Sequence, residues 1–336
     1  MSTHRPLAAV SLIAVSALVV AGCGAAGDAG AGGDDASAET VSYTWERNVA
    51  GEDEEPVYEA TTVEVPLDPQ RIVAFEMASV DTIGSLGGEI AGAPLESVPD
   101  YLQGFLAEDA FNAGTLFEAD LIEIESQQPD LIIIGGRSAP LYEDLSEIAP
   151  TIDLGITGSY LDTLERNVSL LGEVLGAEDE AAAALTELDE GIEEAKTAAA
   201  AAGTGLGVMV SGGQLNALAP SGSDAGSSNV RGGLLYDVFG VTPVVDDIAS
   251  ATHGEPISFE FLLEHDPDVL WVVDRDVATG EAENGAAAQV LDNEIVHQTT
   301  AYTTDSIVYL DPVAWYIVYG GITTTQLLID DVMQVS

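Results

Sequence analysis

Gln128-Pro129-Asp130-Leu131-Ile132-Ile133-Ile134-Gly135-Gly136-Arg137 is the stretch on which the fold turns. Pro129 has no amide proton to donate and stops the helical pattern of Leu121–Gln127 before it. Four consecutive apolar residues then suit a strand covered on both faces, the habit of parallel sheets. Gly135-Gly136 ends that strand in a turn. The same order returns later: a helical stretch at Ser258–Glu264, the break Pro267-Asp268, the apolar strand Val269–Val273, and Arg275 after it. One unit used twice predicts an α/β fold of two similar lobes, each with a mostly parallel sheet.

Around the first copy, Arg71–Phe75 and Glu89–Ala93 read as short strands, Val80–Leu86 and Leu141–Ile148 as helices, and Thr151–Leu154 as a further strand. Around the second, Gly207–Val210 and Leu215–Ala219 are strand-like, and Arg231–Phe239 is helical up to Gly240. Between the copies lies Glu178–Ala202. There Leu185, Leu188, Ile192 and Ala195 recur at helical spacing among strong helix formers, with Gly203 as a stop. Roughly 25 residues at 1.5 Å each make a rigid rod of about 37 Å. Such a rod spans both lobes and limits their hinge motion. The predicted lobes are 41–177 and 203–336, joined by the helix 178–202, with the ligand cleft between them.

The chain has 336 residues, 46% of them hydrophobic, with 58 acidic against 8 basic side chains and a formal charge of −50. The apolar fraction is that of a globular protein. The charge argues against nucleic acid as a partner and against electrostatic docking on anionic lipid. A single cysteine excludes an intramolecular disulfide framework and any Cys-rich metal site.

That cysteine sits at a telling place. Leu7–Val20 is an uncharged apolar run, too short for a comfortable span and suited to a signal-peptide core. It ends in Val20-Ala21-Gly22-Cys23, which resembles a bacterial lipobox. The expectation is cleavage of residues 1–22 and lipidation of Cys23, with the acyl chains holding the protein to the outer face of the cell membrane. Residues 23–40 are then a flexible tether of Gly, Ala, Asp, Ser, Glu and Thr.

Further phrases accompany the repeated unit: Arg71-Ile72-Val73-Ala74-Phe75 with Ser79-Val80-Asp81-Thr82-Ile83, Glu147-Ile148-Ala149-Pro150-Thr151, His253-Gly254 with Ile257-Ser258-Phe259-Glu260, Val273-Asp274-Arg275, and Leu310-Asp311-Pro312 with Trp315-Tyr316 and Gly320-Gly321. In this order they resemble the substrate-binding lipoproteins of iron–siderophore ABC importers. The resemblance is to the branch that takes catecholate and mixed catecholate ligands such as petrobactin. It implies a monomeric binding protein without an intrinsic cofactor that delivers a ferric siderophore to an ABC permease and performs no chemistry on it. It places ligand contacts at Arg137, Arg231, His253, Arg275 and Tyr316, with Tyr319 as a second candidate for the tyrosine. Permease docking falls on Glu260 in the second lobe. In the first lobe Ile122 occupies the expected glutamate position, leaving Asp120 or Glu123 as substitutes.

The residue chemistry agrees with that assignment. Without residues 1–22 the chain keeps seven basic residues, and Arg137 and Arg275 lie just past the carboxyl ends of strands, where open α/β sheets bind ligands. A ferric catecholate is anionic, and a strongly acidic protein needs concentrated positive charge to hold it. Arginine supplies a permanent charge and a fixed fork of donors. A siderophore with two catecholates leaves two positions open on Fe(III), which the His253 imidazole and the Tyr316 phenolate are suited to fill. Other ligands on the same fold remain open: a hydroxamate siderophore, haem or a corrinoid. Bare zinc or manganese fits poorly, because all histidines after residue 22 lie beyond residue 250. An extracellular hydrolase finds no Gly-x-Ser-x-Gly or His-Glu-x-x-His, and a structural lipoprotein has no use for arginines gathered at a cleft. His265 and His297 read as surface residues.

Overall fold

A computed structural model describes residues 39–50, 56–220, 230–282 and 286–335. The expected signal segment, Cys23 and nearly all of the tether lie outside the described residues. A hairpin absent from the sequence reading comes first: β1 (Thr40–Asn48) pairs antiparallel with β2 (Tyr58–Pro66), in register from Thr40 opposite Pro66 to Asn48 opposite Tyr58.

The first lobe contains β3 (Ile72–Ala74), α1 (Met77–Ser85), β4 (Ile90–Ala93), β5 (Leu106–Asn112), α2 (Leu121–Gln127), β6 (Leu131–Ile134), α3 (Tyr142–Ser146), β7 (Thr151–Asp153) and α4 (Tyr160–Leu175). Its sheet has the order β5-β4-β3-β6-β7, parallel throughout. All four side chains of β6 are fully buried, and each contributes about 1.5–3 kcal/mol from burial. The 24-residue helix α5 (Glu178–Ala201) follows. It buries Ala181, Leu188, Ile192, Ala195 and Ala199, while Leu185 is half-buried against the same core.

The second lobe contains β8 (Thr204–Ser211), β9 (Gln214–Ala217), α6 (Val230–Gly232, widening into a π-turn over Gly233–Val238), β10 (Thr242–Pro243), β11 (Glu255–Ile257), α7 (Phe259–His265), β12 (Val269–Asp274), α8 (Arg275–Ala278), α9 (Ala286–Leu291), α10 (Thr300–Thr303), β13 (Ile307–Tyr309) and α11 (Ile322–Val332). Its sheet runs β11-β9-β8-β12-β13, with β10 also on β8. Here the lobes differ. Gly212 and Gly213, with φ of +56° and +74°, turn β8 straight back into the antiparallel β9, the two-residue turn that suits hairpins.

The repeated unit holds in detail. Asp120 caps α2 by accepting the Glu123 amide, and Ser258 caps α7 by accepting that of Phe261. Both helices end on a left-handed residue, Gln128 or Asp266. The aspartate of each Pro-Asp then clips the start of the neighbouring strand. Asp130 accepts the amides of Gln70 and Arg71, and Asp268 accepts the amide and hydroxyl of Thr204. The dipeptide thus stops a helix and fixes the start of the adjoining strand.

α5 is not alone between the lobes. α11 packs on both α5 and α1, and Gly191 of α5 lies under Ile329 of α11. Among the described residues no helix is long and apolar enough to cross a membrane.

Candidate functional site

Three arginines meet at one short segment, Ala314–Val318, and the tyrosine just after it. Arg137 sits in the turn after β6, where Gly136 at φ +48° bends the backbone. It donates to the Tyr316 carbonyl at 3.0 Å and the Ile317 carbonyl at 3.1 Å. Arg231, in α6 and only 7% exposed, donates to the same Tyr316 carbonyl at 3.0 Å and to that of Thr252 at 3.3 Å. Arg275, the first residue of α8, donates from Nε to the Tyr316 hydroxyl at 2.9 Å. One tyrosine therefore gathers guanidinium groups from both lobes.

The two tyrosines form an aromatic floor. The Arg231 guanidinium lies 4.2 Å from the Tyr316 ring centroid, and that of Arg275 lies 5.5 Å from it. Tyr319 lies under Arg137 at 5.4 Å and Arg231 at 5.7 Å. Its backbone is left-handed, with φ +39°, and its N–H donates a hydrogen bond to the Ala314 carbonyl at 2.7 Å. Cations over aromatic faces gain about 0.5–2 kcal/mol each.

Charge is poorly compensated here. Arg275 pairs with Glu281 at 3.3 Å and Asp276 at 3.8 Å. Arg137 and Arg231 bond to carbonyls instead of carboxylates. Burial, together with the neighbouring Arg137 and Arg275, pulls Arg231 below the usual arginine range even though Tyr319 and Tyr316 oppose this. In a chain with 58 acids such a cluster is poised for an external anion.

His253 is exposed at the rim, with Nε2 3.2 Å from the Tyr316 hydroxyl and the two rings stacked. Desolvation and the nearby Arg231 and Arg275 lower its pKa from the ordinary histidine value and favour the uncharged imidazole. All five ligand contacts expected from the sequence thus lie together, and Tyr319 joins Tyr316 instead of replacing it. Among the described residues no group of three or more His, Cys, Asp and Glu side chains is arranged to hold a metal ion.

The expected docking residues stand apart from this cluster. Glu260 is exposed on α7. Asp120 is exposed but occupied as the α2 cap, and Glu123 accepts from Gln127 at 2.8 Å. Ile122, at the matching position of α2, is 83% exposed. His265 stacks on Phe261, and His297 pairs with Asp292. One residue escaped the sequence reading: Glu76, a carboxyl set directly after the apolar strand β3 and beside Arg137. Its place after Phe75 was the available signal.

Known proteins share this architecture. The chain is 34% identical over 272 residues to the petrobactin-binding protein YclQ of Bacillus subtilis, covering 80% of this chain and 83% of the relative. A crystal structure of a TroA-like periplasmic binding protein from Xylanimonas cellulosilytica is 68% identical, with a TM-score of 0.84 over 88% of this chain and 99% of the other. The periplasmic catecholate-siderophore binding protein VctP of Vibrio cholerae is 32% identical, with a TM-score of 0.73 over 89% and 100%. The periplasmic binding protein family matches residues 72–314, from the first strand of the parallel sheet into the segment that gathers the arginines. That match covers well over half of the chain and reaches into both lobes, and the chain belongs to the periplasmic binding protein family.

Proposed function

We propose that this protein captures an anionic ferric siderophore of the catecholate or mixed catecholate class and passes it to an ABC permease without chemical change. The observation that carries this reading is the shared Tyr316 carbonyl, which draws Arg137 and Arg231 side by side without a carboxylate partner. Three guanidiniums on two aromatic faces suit flat, oxygen-rich, negatively charged ligands. Petrobactin is what the name of the Bacillus relative gives as its ligand, and catecholate siderophores are what the name of the Vibrio structure gives.

His253 and Tyr316 serve as direct iron ligands when the siderophore leaves iron unsaturated. Two donors each about 2 Å from an ion on adjacent octahedral vertices lie about 3 Å apart, and these stand 3.2 Å apart. An uncharged imidazole keeps one unprotonated ring nitrogen to offer a metal, and a bound iron ion would favour the phenolate form of the tyrosine that ligates it. Glu260 meets the permease from the second lobe. Asp120 and Glu123 are the acids available on the first. Cys23 carries the lipid that holds the protein outside the cytoplasm, and Cys23→Ala then releases it from the membrane fraction.

Fluorescence quenching tests the ligand assignment, since Trp315 adjoins Tyr316 in the core. Ferric petrobactin, a ferric bis-catecholate, a ferric tris-catecholate and a ferric trihydroxamate are titrated into the purified protein. Tight binding of a catecholate complex, lost in Arg137→Ala, supports the reading. If no ferric siderophore binds below about 10 µM, near −7 kcal/mol, it fails, and haem and corrinoids become the next ligands to test.

A further inference from the structure

Glu76 follows β3 at the carboxyl end of the first sheet, on the strand beside the one that leads to Arg137. Its Oε2 accepts the amides of Ala78 at 2.7 Å and Ser79 at 3.2 Å, capping α1. Gly135 gives it room, because a Cβ there would stand 2.4 Å from Glu76 Cγ. The side chain lines a narrow cavity of about 30 Å³ with Tyr160, Asn167 and Tyr319, space for about one water. The groups facing it are Arg137 from the turn after β6, Asp153 from the end of β7, Tyr319 ahead of α11 and Tyr160 from α4. Arg137 acts on it through space while spending its own hydrogen bonds on Tyr316 and Ile317.

A carboxylate here is at odds with a cleft that holds an anion. Burial pushes Glu76 up to about 7, against the amides of its cap and Arg137. At neutral pH it is divided between its two forms. An anionic complex lying on Arg137 cancels the cationic influence that favours the ionised form and adds negative charge nearby. Both effects raise its proton affinity further.

We propose that Glu76 is a proton-uptake site coupled to ligand capture: the loaded cleft holds it as the neutral acid, the proton coming from solvent. This rests on the ligand being an anionic complex, as proposed above. Capture is then favoured as the medium becomes acidic, and part of the charge brought into the cleft is balanced by the proton.

The test is calorimetric titration with a ferric tris-catecholate, whose saturated iron draws no proton from Tyr316, in phosphate, imidazole and Tris, whose ionisation enthalpies differ. The dependence of the observed heat on buffer gives the protons taken up. Uptake of about half a proton is expected at pH 7, near zero at pH 5.5, and rising toward one at pH 8. It persists in Asp153→Asn and vanishes in Glu76→Gln, which can still cap α1. Between pH 7 and 8.5 wild-type affinity falls about tenfold, whereas that of Glu76→Gln stays within twofold. Tight binding with no uptake, or equal uptake in Glu76→Gln, overturns the proposal and leaves the siderophore assignment standing. Should Glu76→Gln not fold, a flat or falling wild-type uptake between pH 5.5 and 8 overturns it. No binding heat from either ferric petrobactin or a ferric tris-catecholate removes the siderophore assignment, and this proposal with it.

Discussion

Asp81 accepts the backbone amide of Thr324 at 2.6 Å across 243 positions of sequence. Its other oxygen takes the amide of Thr323 at 2.9 Å. Both are first-turn donors of α11 with no partner inside that helix, so a carboxylate on α1 caps a helix that enters from the second lobe. Gly321 permits the approach: at φ +86°, a Cβ there would lie 2.6 Å from that of Asp81. Ser85 with Thr323, Tyr101 with Thr324 and Tyr160 with Thr325 add hydroxyl contacts around it. At its far end Asp331 accepts from the Asp311 amide and the Trp315 indole. α11 is a second strut beside α5, and the pair argues for a small hinge motion.

Asp81→Asn tests that strut. The amide group has one acceptor oxygen, so one first-turn amide faces an NH₂ donor in a fully buried site. Leaving a buried donor unsatisfied costs about 1–3 kcal/mol, and more when the lost acceptor is charged. The urea midpoint falls accordingly. A loss under about 0.5 kcal/mol, the scatter of surface substitutions, would show that the strut does not depend on Asp81.

Arg231 holds its charge at the expense of stability. It is buried, bonded only to carbonyls and flanked by two more guanidiniums. An apolar residue of similar length in place of an uncompensated buried charge is often neutral or stabilising. Arg231→Met is therefore expected to keep or raise the melting temperature of the unliganded protein while affinity for a ferric catecholate drops about 10- to 100-fold, the worth of one or two charge-assisted hydrogen bonds. A melting temperature lowered by more than about 5 °C would instead make Arg231 a structural residue.

Much of this was legible in the sequence. Pro129-Asp130 and Pro267-Asp268 announced the repeated unit because proline ends a helix whatever surrounds it. Arg137 and Arg275 were visible because strand ends locate them. The β1–β2 hairpin went unread although Val41, Tyr43 and Trp45 alternate with polar residues in β1, and its packing rests on Tyr43 and Trp45 against the first lobe. α11 was hidden by Thr323, Thr324 and Thr325, poor helix formers held by contacts with Ser85 of α1, with Tyr101 and with Tyr160 of α4. That Tyr316 and Tyr319 both lie against the arginines depends on a π-turn that no spacing rule predicts.

His253 separates two modes of ligand capture. If its imidazole and the Tyr316 phenolate complete the iron sphere, His253→Ala weakens a ferric bis-catecholate about tenfold or more and leaves a ferric tris-catecholate, already saturated, within twofold. The visible band of the bound bis-catecholate shifts in the variant. Equal effects on both ligands, with no spectral change, would make His253 a packing partner of Tyr316 only.

Stability follows pH through buried carboxyls. Burial raises Glu76 to about 7 and Asp331 to about 6, from 4.5 and 3.8. Both folded values exceed the unfolded ones, so between about pH 4 and 7 the folded state binds more protons. Stability is fullest at the acidic side of that window and is lost as pH rises through it. The melting temperature of the unliganded protein is expected to fall on the order of 5 °C from pH 5.5 to 8. Asp331→Asn, still able to accept from the Trp315 indole, flattens part of the slope. A melting temperature that rises over this range would contradict the assignment of both groups.

The chain's net charge sets the rate at which its ligand arrives. At −50 the protein repels an anionic complex at long range, whereas the attraction of Arg137, Arg231 and Arg275 acts only near the cleft. Salt screens the distant repulsion first, with a Debye length of about 30 Å at 0.01 M and 8 Å at 0.15 M. The association rate for a ferric catecholate is therefore expected to rise several-fold between these salt concentrations, the reverse of ordinary electrostatic steering. Once the complex is seated, short contacts inside the cleft are screened far less, so the dissociation rate changes little. Stopped-flow quenching at the two salt concentrations measures both rates. An association rate that falls with salt would mean that the local field of the arginines governs the encounter from outside the cleft, despite the acidic surface around it.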